Sequence, residues 1–222
     1  MKFILGKKLA MSQIFRGDEA IPVTIVKAGK CRIVQLKEAQ KDGYQAVQIG
    51  FEKKAKQTKS LKGHLGGLDN FRYLREFRFK ETAAAANNFK IGDEINVAVF
   101  KTGEKVNIIG ISKGKGFQGV VRRHGFHGSP KTHGHKDQLR MPGSIGATEP
   151  ARVFKGTRMA GRMGSDRVTV KNLEIIEIDE ANDLLKIKGA VPGARNTLLL
   201  ISGPGLMEIN RKSPEAKEEA KT

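Results

Sequence analysis

A glycine triplet raises the first chemical question. Gly114, Gly116 and Gly119 satisfy G-x-G-x-x-G behind an apolar run from Val106 to Ile111, and Val121 adds the spacing of a kinase glycine loop. A dinucleotide turn needs a helix straight after the glycines and an acid closing the next strand. The next residues in this chain are Arg122-Arg123-His124-Gly125, rich in charge, and neither V-A-I-K nor H-R-D occurs anywhere in it. Gly125 to Thr132 nearly spells a phosphate loop, but Pro130 sits where the second glycine belongs and removes an amide donor. The glycines retain one physical property: they let backbone amides come close to phosphate oxygens, with Lys113 and Lys115 alongside.

The histidines raise a second question. His124, His127, His133 and His135 fall close together, as zinc ligands can. No cysteine joins them, and Arg122, Arg123, Lys131 and Lys136 between them would repel a cation. Imidazoles that stack on bases or hydrogen-bond phosphates suit this setting better, so no metal and no cofactor are expected. For hydrolysis, Asp137 and Glu149 stand apart among cations and form no carboxylate pair. Cys31, the single cysteine, lies in the strand-like run Lys30-Cys31-Arg32-Ile33-Val34, where a buried, inert thiol is expected. One cysteine excludes an internal disulfide and fits a reducing compartment.

The elements that must carry these residues are mostly short strands. Ile21 to Val26, Cys31 to Leu36 and Tyr44 to Phe51 are β-branched or alternating runs, parted by Gly29-Lys30 and Asp42-Gly43 turns. Glu52 to Gly67 is basic and poor in apolar residues, a surface segment or weak helix. Phe71, Tyr73, Phe77 and Phe79 alternate with Arg72, Arg75, Arg78 and Lys80, which predicts a strand with one aromatic and one cationic face, its aromatics packing in a core rather than stacking on bases. Ile95, Val97 and Val99 alternate again, before Val106 to Ile111. Strands return at Arg167 to Val170, Leu173 to Ile178, Leu184 to Lys188 and Thr197 to Ile201, with turns at Asn182-Asp183 and Val191-Pro192-Gly193. Many short strands and few helices predict a mainly β fold, a closed or nearly closed β-barrel.

Between them, Ser112 to Ser165 shows almost no periodicity. From Lys101 to Ser165 there are 13 cations against 3 acids, so about +10 of the formal +18 of this 222-residue chain lies there. An irregular stretch of that length is usually functional or disordered. It also holds Phe117, Phe126, Leu139, Met141, Ile145, Val153, Phe154, Met159 and Met163, more apolar groups than a merely solvated charge run needs. The net charge calls for an anionic partner. A membrane is disfavoured, because no apolar run approaches the roughly 20 residues of a span. The opening residues, interrupted by Lys7, Lys8, Ser12 and Gln13, hold no signal-peptide core, so a cytosolic protein is expected. The tail from Ser213 to Thr222 is charged and reads as disordered.

Several of these segments together resemble a known family. Phe100, Asn107, Gly110, Ser112, Gly114, Lys115, Gly116, Gly119 and Arg123 fall at the signature spacings of bacterial-type ribosomal protein three of the large subunit. Val153-Phe154-Lys155-Gly156 with Met159-Ala160-Gly161, and Lys188-Gly189-Ala190-Val191-Pro192-Gly193, agree as well. So does Gly6-Lys7-Lys8-Leu9-Ala10-Met11-Ser12, although Ala10 stands where a glycine is usual. The resemblance covers nearly all of residues 1–212. It implies a translation-protein-type β-barrel with a small α/β insertion and a long, irregular basic loop extension. The barrel core would span residues 1–112 and 166–212, with the insertion at about 52–90 and a finger loop at 113–165. It further implies a non-enzymatic constituent of the large ribosomal subunit, cytoplasmic and within the ribosome. Such a protein binds large-subunit rRNA, supports early assembly, touches neighbouring ribosomal proteins and reaches towards the peptidyl-transferase centre. Some bacterial relatives carry a methylated glutamine in the finger, but no Gln lies between Met141 and Arg162.

The residues expected on rRNA are Lys113, Gly114, Lys115, Gly116, Phe117, Gly119, Arg122, Arg123, His124, His127, Lys131, His133, His135, Lys136, Arg140, Arg152, Lys155, Arg158 and Arg162. Lys and Arg would neutralise phosphates and release counterions, while Arg, His and Phe stack or fill gaps. Two other readings remain: a nucleotide-dependent enzyme using the Gly114–Gly119 loop, and an RNA chaperone acting away from the ribosome.

Overall fold

The computed structural model describes residues 1–78, 89–205 and 207. It forms two compact units, Met1–Ile111 with Val168–Thr222, and Ser112–Arg167. In chain order the first unit opens with β1 (Lys2–Arg16), β2 (Glu19–Lys27), β3 (Cys31–Lys37), α1 (Ala39–Asp42), β4 (Ala46–Lys53) and α2 (Lys59–Leu65). Then come β5 (Phe71–Arg78), β6 (Glu94–Ile95), a 3-10 turn at Val97–Val99 and β7 (Lys105–Ile111). The second unit holds β8 (Phe117–Gln118), α3 (Val120–His124) and β9 (Gly161–Arg162). The chain closes with β10 (Arg167–Asp179), β11 (Leu184–Lys188) and β12 (Leu198–Gly203).

Six strands close a barrel in the order β1-β12-β7-β10-β11-β2. β1 supplies both seams with its neighbours: Lys2 to Lys7 pair antiparallel with Gly203 to Leu198, and Lys7 to Arg16 pair with Lys27 to Glu19 around an irregularity between Lys8 and Ala10. Successive side chains of a strand face opposite ways. Phe3, Ile4 and Leu5 are nonetheless all fully buried, so both faces of β1 are covered. A second sheet, β5-β4-β3-β6, provides part of that cover. Phe3 stacks on Phe77 of β5 with ring centroids 4.7 Å apart. Ile108, Ile175, Leu185, Ile187, Leu199 and Ile201 of the barrel belong to the same core as Ile33, Ile49 and Ile95 of the sheet. Each such side chain contributes about 1.5–3 kcal/mol by leaving water.

The small insertion expected at about 52–90 is therefore only part of a larger element. The four-stranded sheet starts at Cys31 and ends at Ile95, since β3 pairs with both β4 and β6. Apolar alternation cannot tell which of two sheets a strand joins, so β3 and β4 resemble barrel strands in sequence. The run from Ile95 to Val99 also departs from expectation. Only Glu94–Ile95 is strand, and the 3-10 turn buries Val97 and Phe100, three residues apart as that winding requires. Phe71 and Phe77 are buried, while Phe79, Lys80 and the tail 213–222 lie outside the described residues. Arg167 to Asp179 is one strand rather than two; Asn172 takes φ +58 within it, a conformation Asn tolerates.

Two of the family-like segments meet inside this unit. The buried ammonium of Lys8 donates to Val191 O at 2.9 Å and Gly193 O at 3.2 Å. The fully buried Thr24 donates through Oγ1 to Gly189 O at 2.6 Å. A Cβ on Gly110 would stand 2.9 Å from Leu199 Cδ2 and 3.0 Å from Pro192 Cγ, so any larger residue would force these side chains to shift. Cys31 is fully buried and donates to Leu5 O at 3.6 Å; burial pushes its thiol up to about 12, which leaves it protonated and inert.

Candidate nucleic-acid interface

The unit from Ser112 to Arg167 begins and ends in a short antiparallel neck. Ser112 N donates to Asp166 O at 2.9 Å, and Asp166 N returns a bond to Ser112 Oγ at 3.2 Å. Lys115 N donates to Met163 O at 2.9 Å and Met163 N to Gly116 O at 3.0 Å. Beyond these, Phe117 pairs with Arg162 and Gln118 with Gly161. Glycine is required on both sides of the neck. Gly116 takes φ +69 and Gly164 φ +80, and a Cβ on Gly164 would run into Lys113 O. The signature glycines thus shape this neck, a role beyond the phosphate approach that their spacing suggests.

A one-turn helix does come after the glycines, contrary to the expectation from Arg122-Arg123-His124-Gly125. Gly119 is the N-cap of α3, and Gly125 ends it at φ +73, the left-handed conformation that closes many helices. The dinucleotide reading fails on the other side of the turn. β8 is two residues long and pairs antiparallel with β9, where a nucleotide fold needs a parallel β-α-β unit. Gly110-Ile111-Ser112-Lys113-Gly114 has the G-x-S-x-G spacing of a nucleophile elbow. Ser112 sits on the neck with its hydroxyl bonded to Asp166 N, and among the described residues no histidine bonds it.

The chain after α3 is held at two further points. Arg123 Nη1 and His124 Nε2 both reach Met159 O, at 2.7 Å and 3.0 Å. Ser129 N donates to Leu139 O at 3.1 Å, and a Cβ on Gly128, which takes φ +76, would collide with that same carbonyl. Between these clamps lies a cleft of about 690 Å³ lined by Phe126, His127, Gln138, Met141, Ser144 and Arg158, among others. Several of these residues stand out by type in the sequence, but the cleft they form does not. Its one local signal is Phe126-His127 set between Gly125 and Gly128.

The expected contact residues fall along this unit in groups. Lys113 to Gly119 lie on the neck, with Arg162 opposite Phe117. Arg122, Arg123 and His124 lie on α3, and Arg122 Nη1 bonds Gln118 Oε1 at 3.0 Å. Lys131, His133, His135 and Lys136 occupy the loop closed by Ser129 and Leu139, with His127 just before it and Arg140 just after it. Arg152, Lys155 and Arg158 lie on the returning chain. Every one of these Lys and Arg side chains is exposed. Among the described residues, all ion pairs fall outside this unit. Phe117 is 77% exposed and Phe154 60%, so apolar rings stand in solvent between unpaired cations. Among the described residues, no group of His, Cys, Asp and Glu could hold a metal ion, and no helix is long and apolar enough to cross a membrane.

Fold and charge define a basic β-barrel protein, and comparison with known proteins gives its family. The Ribosomal protein L3 family profile matches residues 78–186. The chain is similar to "Large ribosomal subunit protein uL3" of Herpetosiphon aurantiacus, 52% identical over 204 residues, covering 90% of this chain and 94% of that one. It is 50% identical to the protein of that name from Carboxydothermus hydrogenoformans over 205 residues, covering 90% and 96%. The Thermotoga maritima protein of that name is 48% identical over 204 residues, with the same coverage. The chain belongs to the ribosomal protein L3 family.

Proposed function

We propose that this protein is a structural, non-catalytic constituent of the large ribosomal subunit, working in the cytoplasm within the ribosome. It binds large-subunit rRNA directly, supports early subunit assembly beside neighbouring ribosomal proteins, and extends residues 113–165 towards the peptidyl-transferase centre. Its relatives' name supports the subunit. The observation that carries RNA binding is the set of exposed cations in Ser112–Arg167 that no carboxylate neutralises, interleaved with exposed apolar side chains. Unpaired cations at that density repel one another until phosphates replace their counterions. Apolar rings between them give bases a surface to stack on. The barrel supplies what the loop lacks, a core of fully buried aliphatic side chains.

Co-sedimentation tests this directly. The tagged full chain should appear at one copy per large subunit and stay there through a salt wash that strips loosely bound proteins. Replacing Lys113 and Lys115 together by Ala should lower that occupancy. Recovery mainly outside the large-subunit peak, as a chaperone acting elsewhere would show, contradicts the proposal, as does nucleotide-dependent turnover by the purified chain.

A further inference from the structure

The cleft in Ser112–Arg167 combines features that a general phosphate-binding surface does not need. Phe126 is half-buried, and His124 stands beside it with centroids 6.2 Å apart at 49°. Gln138, His127 and Arg158 also line the cleft, and among the described residues none of their side chains has a hydrogen-bond partner. The walls cannot simply collapse together. Gly128 is seated against Leu139 O, and the carbonyl of Met159, next to Arg158, is held by Arg123 and His124. A cavity of about 690 Å³ lies within the roughly 300–1,000 Å³ that small-ligand sites occupy. No carboxylate lines it, so an anionic occupant meets no opposing charge.

An aromatic face, an amide with donor and acceptor both free, and a guanidinium at the rim match the three parts of a nucleotide. Unpaired RNA bases are read by stacking on aromatic side chains and by hydrogen bonds to their edges, while Arg takes the phosphate. We propose that this cleft captures a single unpaired nucleotide of large-subunit RNA: its base stacks on Phe126, its edge bonds the Gln138 amide, and Arg158 holds its phosphate. The inference rests on the RNA-binding reading above and adds to it a specific subsite. The rest of the cationic surface tracks backbone, whereas this cleft distinguishes a splayed base from a paired one.

The test uses the full chain in assembled large subunits. A photo-cross-linking amino acid at position 126 should join one RNA nucleotide, and that nucleotide should be unpaired. In subunits carrying Phe126→Ala, its reactivity towards base-modifying and 2′-hydroxyl-acylating reagents should rise about tenfold, since one base–aromatic stack is worth roughly that much or more. Phe126→Tyr, which keeps the ring, should leave it protected. Gln138→Ala alters an exposed side chain and should raise reactivity at the base edge alone, which covers the case of Phe126→Ala chains failing to assemble. A cross-link to protein or to a base-paired helix overturns the proposal, as does unchanged reactivity in both alanine variants. Failure of the wider RNA-binding reading looks different: the unmodified chain itself would then be missing from salt-washed subunits.

Discussion

Gly116 shapes the neck and, in the proposed function, also stands on the face that meets RNA. Its φ of +69 lies in the left-handed region, where a β-branched side chain is strained by about 1–3 kcal/mol. A Cβ there would meet nothing within 4 Å, so the space beside it is open to a ligand. Gly116→Val should therefore loosen the neck through strain and obstruct an approaching phosphate. The barrel's thermal transition should stay within about a degree or two of the parent's, because its core lies in the other unit, while incorporation into large subunits falls. Calorimetry on the free protein and quantification of isolated subunits check the two halves. Normal incorporation would mean that Gly116 faces no RNA. At this scale the sequence is partly legible: it shows that glycines matter, but not that Gly164 opposes Lys113 across the neck. That pairing joins residues some fifty positions apart, which no local spacing reveals.

Among the elements, legibility depends on how a strand is covered. β2, β4, β7 and β11 stand out because β-branched or alternating apolar residues survive wherever one face is buried. β1 is hidden as an element because Lys7, Lys8, Ser12 and Gln13 interrupt it. Lys8 keeps its ammonium buried by bonding two carbonyls of the Val191–Gly193 turn, a solution no hydropathy pattern reports. α3 is hidden because five residues are too few for helical periodicity to register. Lost periodicity marks the bounds of the irregular loop, whereas nothing local marks its clamps. Those clamps sharpen an expectation about proteolysis. With the neck bonded as far as Phe117–Arg162 and α3 tied to Met159, trypsin acting on the free protein should cut first at Lys131, Lys136, Arg140, Arg152 or Lys155. Fragment masses after brief digestion would locate the cuts. First cleavage at Lys113, Lys115 or Arg162, on the neck itself, would show that the neck does not hold.

For the molecule as a whole the governing quantity is the uneven placement of charge. In the first unit seven described Lys and Arg side chains form ion pairs, as in Lys2–Glu104 at 2.9 Å and Arg32 between Asp69 and Glu94 at 3.0 and 2.6 Å. Such pairs contribute little to RNA binding because their charge is already compensated. Binding to large-subunit RNA should thus draw mainly on Ser112–Arg167. If about six to ten phosphates are neutralised, log K should fall with log salt by roughly 0.7 to 0.9 per phosphate. The Lys113→Ala, Lys115→Ala pair should reduce that slope by about two phosphates' worth. Filter-binding titrations at several salt concentrations measure both. A flat salt response would remove the electrostatic basis of the proposed function. The charge asymmetry itself is legible from sequence, because counting needs no geometry. Which cations are already paired is not, because pairing depends on which strands the sheets bring side by side.

The seam between β1 and β12 has a consequence for how the protein is made. Along one edge of β1, Lys2 to Lys7 pair with Gly203 to Leu198, about two hundred positions further along the chain. A nascent chain emerges N-terminus first, so this barrel cannot close while synthesis is still short of residue 203. Residues 112–167 emerge before that point, and the neck that joins their ends is closed by bonds spanning no more than about 54 positions, so it needs nothing made later. The cationic loop is therefore complete before the barrel is, and under the proposed function RNA would meet it while β1 still waits for its last neighbour.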